Sequence, residues 1–345
     1  MIQRLKIRQA TELREENLSP YAVKSSQSRG REKPEEPDPI RTVFQRDRDR
    51  IVHSKAFRRL KHKTQVFIMP LGDHFVTRLT HTLEVSQIAR TIARALNLNE
   101  DLTEAISLGH DLGHTTFGHI GEGVLNELYP PGFHHNEQSL RVVDRLEKNG
   151  QGLNLAWEVR DGILNHSKTN VPELFGKDWG KVNTFEGEIC KIADLVAYIN
   201  HDIGDAIRAG LITEADLPPT AAVVLGRSHS ERINTMVGDI IEYSWGVSGR
   251  RRGKVTIGMS DRVASAAGTM REFLFARVYN SVISQKETER AKQTVRFLYK
   301  YFNRYEDKLP LEFRAYADET ARRVVDYVSG MTDQYALRLA KELRR

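Results

Sequence analysis

Only one cysteine, Cys190, occurs in 345 residues, which excludes any intrachain disulfide and fits a reducing compartment. Long apolar runs are missing too, since nothing approaches the roughly 18–20 apolar residues of a membrane helix. The opening MIQRLKIRQATELREEN lacks the apolar stretch of a secretory signal, so a cytoplasmic protein with no membrane partner is expected. Charge is not one-sided: 52 Lys+Arg against 46 Asp+Glu leave a formal +6. That balance is compatible with an anionic partner, and a polyphosphate satisfies it as well as a nucleic acid does. With 39 % hydrophobic and 28 % charged residues, the chain is neither disordered nor collagen-like, and it is long enough to bury a sizeable core.

Residues 1–40, through SSQSRGREKPEEPDP, are charged and Pro-punctuated and read as an extended arm. From Arg41 the pattern is helical, without internal repeats. Strand-like alternation appears only around 249–258, where RRRGKVTIG reads as a small hairpin or a basic loop, so the expectation is an all-α chain with at most one hairpin. The Pro218-Pro219 break divides it into 41–215 and a C-terminal helical region, 216–345. The basic loop at 249–254 is a candidate anion or single-stranded nucleic acid patch, although such loops are usually just exposed.

Histidine is where the composition becomes informative. Seven of the 12 histidines (His74, His81, His110, His114, His119, His134 and His135) fall within 62 residues, where even spacing would give about two. Clustered histidines bind metal or move protons. His81 shares a stripe with Val85, Ile88 and Ile92, which places its ring on an inward face. Taken singly it is also readable as a satisfied core histidine. The next helix is expected to start at an Asp101/Glu104 capping box and to present His110-Asp111 at its end. As an isolated pair, His-Asp reads equally as a capped turn. Over 186–207, Asp194, Tyr198, His201 and Asp205 align on one face of a helix that is apolar nearly all round, so the carboxylate there needs a counter-charge.

His81, His110-Asp111 and Asp194 form the ordered pattern H…HD…D, and with it the sequence resembles the HD-domain metal-dependent phosphohydrolases. The strings RDRDRIVHSKAFRRLKHKTQVF (46–67), TRLTHTLEV (77–85), GHDLGHTTFGHIGE (109–122), HHNEQS (134–139), ADLVAYINHD (193–202) and GMTDQYA (330–336) narrow the resemblance to the deoxyguanosinetriphosphate triphosphohydrolase-like group. The resemblance implies one divalent metal ion (Mn, Mg, Fe or Zn) on His81, His110, Asp111 and Asp194. It also implies catalytic roles for His119 with its acidic partner Glu122, and for His135, with His134 as the competing neighbour. Gln65 is implied as a nucleoside contact, Arg78 as a triphosphate contact, and Tyr198 as the ring that disfavours a 2′-hydroxyl. The activity implied is hydrolysis of a deoxynucleoside triphosphate, dGTP among others, to deoxynucleoside and tripolyphosphate, in a homo-oligomer with a dNTP effector.

Two departures from the group's pattern stand out. Thr115-Thr116 replace a common Pro-Pro, which touches loop rigidity, and Leu195 replaces a residue that is polar in some relatives. Alternatives on the same residues are an HD phosphohydrolase of monophosphates or alarmones, and a non-enzymatic nucleotide sensor or single-strand binder. His114, His166 and His201 read as cap or core histidines, and Arg58, Arg59, Lys61 and Lys63 as a basic strip beside Phe57, Leu60, Val66 and Phe67.

Overall fold

The computed structural model describes residues 6–66, 74–167, 182–250, 253–279 and 282–345. Phe67 and Arg251–Arg252, singled out above, lie outside them. The described residues are all-α, as expected, and their only β pairing is two isolated bridges, Arg31 with Ala156 and Thr64 with Thr77. The hairpin option at 249–258 is not taken, because the described residues 253–258 form no strand.

Local chemistry sets most helix starts. The Thr42 hydroxyl accepts the Gln45 N–H and the Gln45 side chain accepts the Thr42 N–H, a reciprocal box that opens α2 (Val43–Val52), following α1 (Ile7–Glu15). Thr77 caps α3 (Arg78–Ala95) in the same way through Thr80. At α4 (Glu100–Gly109) the cap differs from the sequence expectation. Asn99 accepts the Leu102 N–H at 3.1 Å, while Asp101 accepts from Gln45 and Glu104 pairs with Arg48 and Arg90. An asparagine caps as well as an aspartate, and it frees both acids to hold neighbouring helices.

Beyond these run α5 (Gly118–Leu128), α6 (His135–Arg141), α7 (Trp157–Asn165), α8 (Phe185–Arg208), α9 (His229–Tyr243), α10 (Asp261–Leu274), α11 (Val282–Arg304), α12 (Thr320–Ser329) and α13 (Asp333–Leu343). Their apolar faces build two separate clusters. In the first, Ile51, Val85, Ile88, Ile92, Leu102, Ile106, Val159, Ile192, Val196, Met236 and Met270 join α2, α3, α4 and α7 to α8, α9 and α10. The second joins Phe117, Val124, Leu125 and Phe133, around α5, to Val295, Leu298, Phe302, Val324, Val328 and Ala336 of the C-terminal helices. Each fully buried side chain of this size contributes roughly 1.5–3 kcal/mol, so α5 is anchored to the C-terminal helices rather than to α3 and α4.

The arm is extended only in part. After α1 its polar backbone is tied to the body: the Ser19 hydroxyl donates to Val247 O, Arg29 N donates to Glu158, and Arg31 pairs with buried Asp47. Glu186 Oε1 accepts the Val23 and Asn99 N–H groups at 3.0 and 3.1 Å, while its Oε2 is buried without a partner. Burial pushes this carboxyl up to about 7, against the pull of its backbone donors. Between the ordinary glutamate range and pH 7 the folded chain therefore holds a proton that the unfolded chain has released, and stability falls as pH rises through that window. Glu186→Gln, which mimics the protonated form, is expected to remove about 2 kcal/mol of the stability loss between pH 5 and 8. Thermal denaturation from pH 5 to 8 measures it, and parallel curves for the two proteins would show that Glu186 ionises normally.

Candidate active site

The first cluster brings the H…HD…D residues together. His81 from α3 places Nε2 3.2 Å from Asp194 Oδ1 of α8 and 3.9 Å from Asp111 Oδ2, just past α4. His110 Nε2 lies 3.6 Å from Asp111 Oδ1. The remaining ring nitrogens fix which lone pairs face inward. His110 Nδ1 donates to Ser107 O at 2.6 Å, which leaves Nε2 as a lone pair, buried and without a hydrogen-bond partner among the described residues. His81 Nδ1 is 2.8 Å from His201 Nε2, and His201 Nδ1 is 2.8 Å from Asp202 Oδ1. In the tautomer that keeps the His201 ring neutral, with its proton on Nδ1 toward Asp202, Nε2 accepts from His81 and the His81 Nε2 lone pair also faces the carboxylates. Two imidazole lone pairs converging on two carboxylates are donors without an acceptor. Such a buried N/O set fits a divalent cation.

Arg78, 1 % exposed, stands beside this group. Its Nη1 donates to Asp111 Oδ2 at 2.6 Å, while Nε and Nη2 are buried without partners among the described residues. Burial acts to raise the Asp111 carboxyl, but His110, His114, Arg78 and His81 hold it well below its usual range. Space for Arg78 depends on Gly118, where an added Cβ would lie 2.9 Å from Nη2. Gly118 and the preceding Phe117 both have left-handed backbone (φ +57° and +58°), a conformation that costs a non-glycine residue roughly 1 kcal/mol or more.

A second group forms where α5 and α6 meet. His119 Nδ1 donates to Glu122 Oε2 at 2.9 Å, and Glu122 Oε1 accepts from both the backbone N and the Nδ1 of His135, each at 2.9 Å. Burial opposes ionisation of Glu122, yet His135 and His119 hold its carboxyl far below normal. The His119 side chain is 73 % exposed, so its Nε2 is open to a ligand. The His114 ring stacks on His135 at 4.2 Å. His135 Nε2 faces His166 Nε2 at 3.3 Å, and His166 Nε2 is 3.9 Å from Asp111 Oδ1, which joins the two groups. His166 Nδ1 bonds Ile163 O, so the proton between the two Nε2 atoms belongs to His135. Burial first, then His110 and His135, pushes His166 down to about 3.

His135 rather than His134 is thus the member of the cluster. His134 stands just before α6, where its carbonyl accepts the Gln138 N–H. Gln65 lies beside Gly118 through its carbonyl, with its side-chain Oε1 buried and unpartnered among the described residues. Tyr198, one turn beyond Asp194, bonds Tyr279, which donates in turn to Asp202; burial and the Asp202 charge push the Tyr198 hydroxyl up to about 12. Leu195 packs on the first cluster. The basic strip divides, with Arg58 and Lys61 exposed and Lys63 buried, donating to His114 O and Ser329 O. His166 and His201, readable from sequence as cap or core histidines, both contact the expected ligands. His166 does so from the end of α7, 55 residues beyond Asp111, with no local signal, whereas His201 shares with Asp194 the face of α8 that the sequence spacing aligns.

Residues 78–199 match the HD domain family, and residues 257–342 match the phosphohydrolase-associated domain family. Over 342 residues the chain is 55 % identical to the deoxyguanosinetriphosphate triphosphohydrolase-like protein of Caldanaerobacter subterraneus subsp. tengcongensis, covering 98 % of this chain and 96 % of that protein. Proteins of the same description in Desulfatibacillum aliphaticivorans (50 % over 341 residues, 96 % of each chain) and Ralstonia pickettii (41 % over 367 residues, 95 % of this chain and 94 % of that one) align almost as completely. The chain belongs to the deoxyguanosinetriphosphate triphosphohydrolase-like family. The HD match opens on Arg78 and closes just past Tyr198, so it spans all four residues of the H…HD…D pattern.

Thr115-Thr116, which stand where the group commonly carries Pro-Pro, do not leave a loose loop here. Thr115 Oγ1 donates to Gly118 O at 2.6 Å and Thr116 Oγ1 donates to Asp333 at 3.1 Å, so hydroxyls supply the rigidity that prolines would. The geometry separates two substitutions. His110→Ala is expected to abolish binding of Mn²⁺ while the fold persists, since it deletes a nitrogen whose only other bond is local. Asp111→Ala should also lose the metal but destabilise by about 3–5 kcal/mol, because it strands the buried Arg78 charge. Elemental analysis and chemical denaturation of both variants check this, and equal stability of the two would show that Arg78 does not depend on Asp111.

Proposed function

We propose that this chain hydrolyses deoxynucleoside triphosphates, dGTP among them, to the deoxynucleoside and tripolyphosphate. The observation that carries the reading is a buried group holding the His110 Nε2 and the Arg78 Nη2 and Nε, all unpaired among the described residues, joined through His166 and His135 to the His119–Glu122 pair, whose His119 is exposed. Membership of the family adds support from the relatives' names. His81, His110, Asp111 and Asp194 would hold one divalent cation, which when bound supplies Lewis-acid polarisation of a phosphate oxygen.

The remaining work falls to side chains. Arg78 keeps one guanidinium edge on Asp111 and offers the other to the triphosphate, where a buried cation offsets charge that water cannot. Glu122 holds His119 by Nδ1, so Nε2 is the atom that exchanges a proton with the departing 5′-oxygen as water adds to the α-phosphorus and the P–O5′ bond breaks. Tyr198, fixed through Tyr279 and Asp202, packs a ring edge where a 2′-hydroxyl would find neither room nor a partner.

Chromatography of dGTP and GTP incubated with Mn²⁺ or Mg²⁺ tests the reading. Tripolyphosphate from dGTP is expected. Orthophosphate would favour another HD phosphohydrolase activity, and no metal-dependent product would favour a binding protein. His119→Ala should lower kcat by roughly two to four orders of magnitude with metal still bound, and wild-type turnover in that variant would remove His119 from the mechanism. Tyr198→Ala should narrow the preference for dGTP over GTP by about 1–3 kcal/mol, read from kcat/KM for both nucleotides. An unchanged ratio would place sugar selection elsewhere.

A further inference from the structure

Two segments of the site lie outside the helices that carry the H…HD…D residues. Residues 63–65 approach from before α3 and bring Gln65, while residues 114–118 approach from before α5 and aim His119. Both end on one carboxylate, that of Asp333, the first residue of α13. Its Oδ2 accepts the Thr64 N–H at 2.8 Å and also the Thr64 hydroxyl. Its Oδ1 accepts the Phe117 N–H at 2.8 Å and the Thr116 hydroxyl at 3.1 Å. A carboxylate that opens a helix ordinarily serves that helix's own N–H groups. Here all four donors sit 216 to 269 residues away, and Asp333 is only 5 % exposed.

The donors are placed where release would matter. Phe117 holds left-handed backbone, and its N–H bond to Asp333 sustains that turn. No side chain caps the start of α5, so the direction in which His119 leaves the turn depends on it. Thr64 precedes Gln65, and the carbonyls of both lie beside Gly118, which in turn borders Arg78. Lys63 repeats the pattern by joining His114 O to Ser329 O at the end of α12.

We infer that Asp333 is a positioning residue that couples the Gln65 segment to the His119 turn, so that the nucleoside end and the proton-transfer end of the site are aligned by one C-terminal carboxylate. The inference rests on the reading proposed above for what Gln65 and His119 do, although the coupling itself does not. Asp333→Asn leaves one acceptor oxygen and sets an NH₂ group against two donors, so one segment must be released.

The experiment is amide hydrogen exchange on the full chain, together with steady-state kinetics and metal content. In Asp333→Asn, exchange of the peptides covering 63–66 and 114–119 should rise about tenfold or more. Protection across α3, α4 and α8 and the bound Mn²⁺ should remain as in the wild type. KM for dGTP should rise and kcat should fall, each by about tenfold. Thr64→Val with Thr116→Val removes two of the four donors without touching the carboxylate, so this variant should give a smaller shift in the same two peptides and serves if Asp333→Asn does not fold. Wild-type protection of both segments in these variants, or loosening spread equally over α3 and α8, would overturn the inference. Absence of dNTP turnover in the wild type would instead sink the functional reading, while the exchange data still decide the coupling.

Discussion

The structure is organised around the burial of Asp111. An ionised carboxylate removed from water is tolerable only with compensating charge and hydrogen bonds, and at this point the chain supplies Arg78 in direct contact and the rings of His81, His110, His114 and His166 within 4 Å. Those partners come from α3, the end of α4, the turn after it and the end of α7. The packing of the first cluster is therefore also the assembly of the site, because helices whose apolar faces interlock at Val85, Ile106, Val159 and Ile192 deliver their polar ends to the same place. One guanidinium does not neutralise both Asp111 and Asp194, and the remaining demand for positive charge is what a divalent ion meets.

The two apolar clusters divide the chemistry between them. The H…HD…D residues ride on the first, whereas α5, with His119 and Glu122, rides on the second through Phe117, Val124 and Leu125. The distance between the H…HD…D group and His119 thus depends on how the clusters are locked together. Two buried carboxylates of the C-terminal helices do the locking. Asp326 receives Gln138, Arg141 and Arg322 and so grips α6, which carries His135. Asp333 grips the turn before α5. The C-terminal helices are in this sense part of the site, although among the described residues none of their side chains belongs to the H…HD…D group.

What could be read from the sequence follows from whether a contact is local. His119 and Glu122 are three residues apart on a helix, His110 and Asp111 are adjacent, and His81 lies on a clean apolar stripe, so each was legible before any tertiary information. The resemblance to a family supplied the order in which they combine. His166 and Asp333 act across 55 and 216 or more residues, and no periodicity records such a pairing, whereas the spacing along α8 sets His201 on the face of Asp194 without showing its bond to His81, 120 residues away. The misplaced cap of α4 has a related cause. Asp101 and Glu104 satisfy a local pattern, but long-range partners, Gln45 and Arg48, claim their oxygens first, and Asn99 takes the local task.

The outer hydrogen bonds of the histidines complete the argument, because they decide whether the site is built for a metal before one arrives. His110 Nδ1 is committed to Ser107 O, His81 Nδ1 to His201, and His166 Nδ1 to Ile163 O. Each commitment leaves a lone pair on Nε2, and all three Nε2 atoms lie within 4 Å of an Asp111 oxygen. His135 and His119 are turned the other way: Glu122 draws their Nδ1 protons and leaves Nε2 of His119 facing solvent. Neighbouring imidazoles thus serve opposite purposes, one set presenting lone pairs inward and the other handling protons. The difference lies in the outer partner: a carbonyl or another ring receives the Nδ1 proton of the first set, whereas the Glu122 carboxylate receives it in the second and raises the affinity of the His135 ring for its second proton.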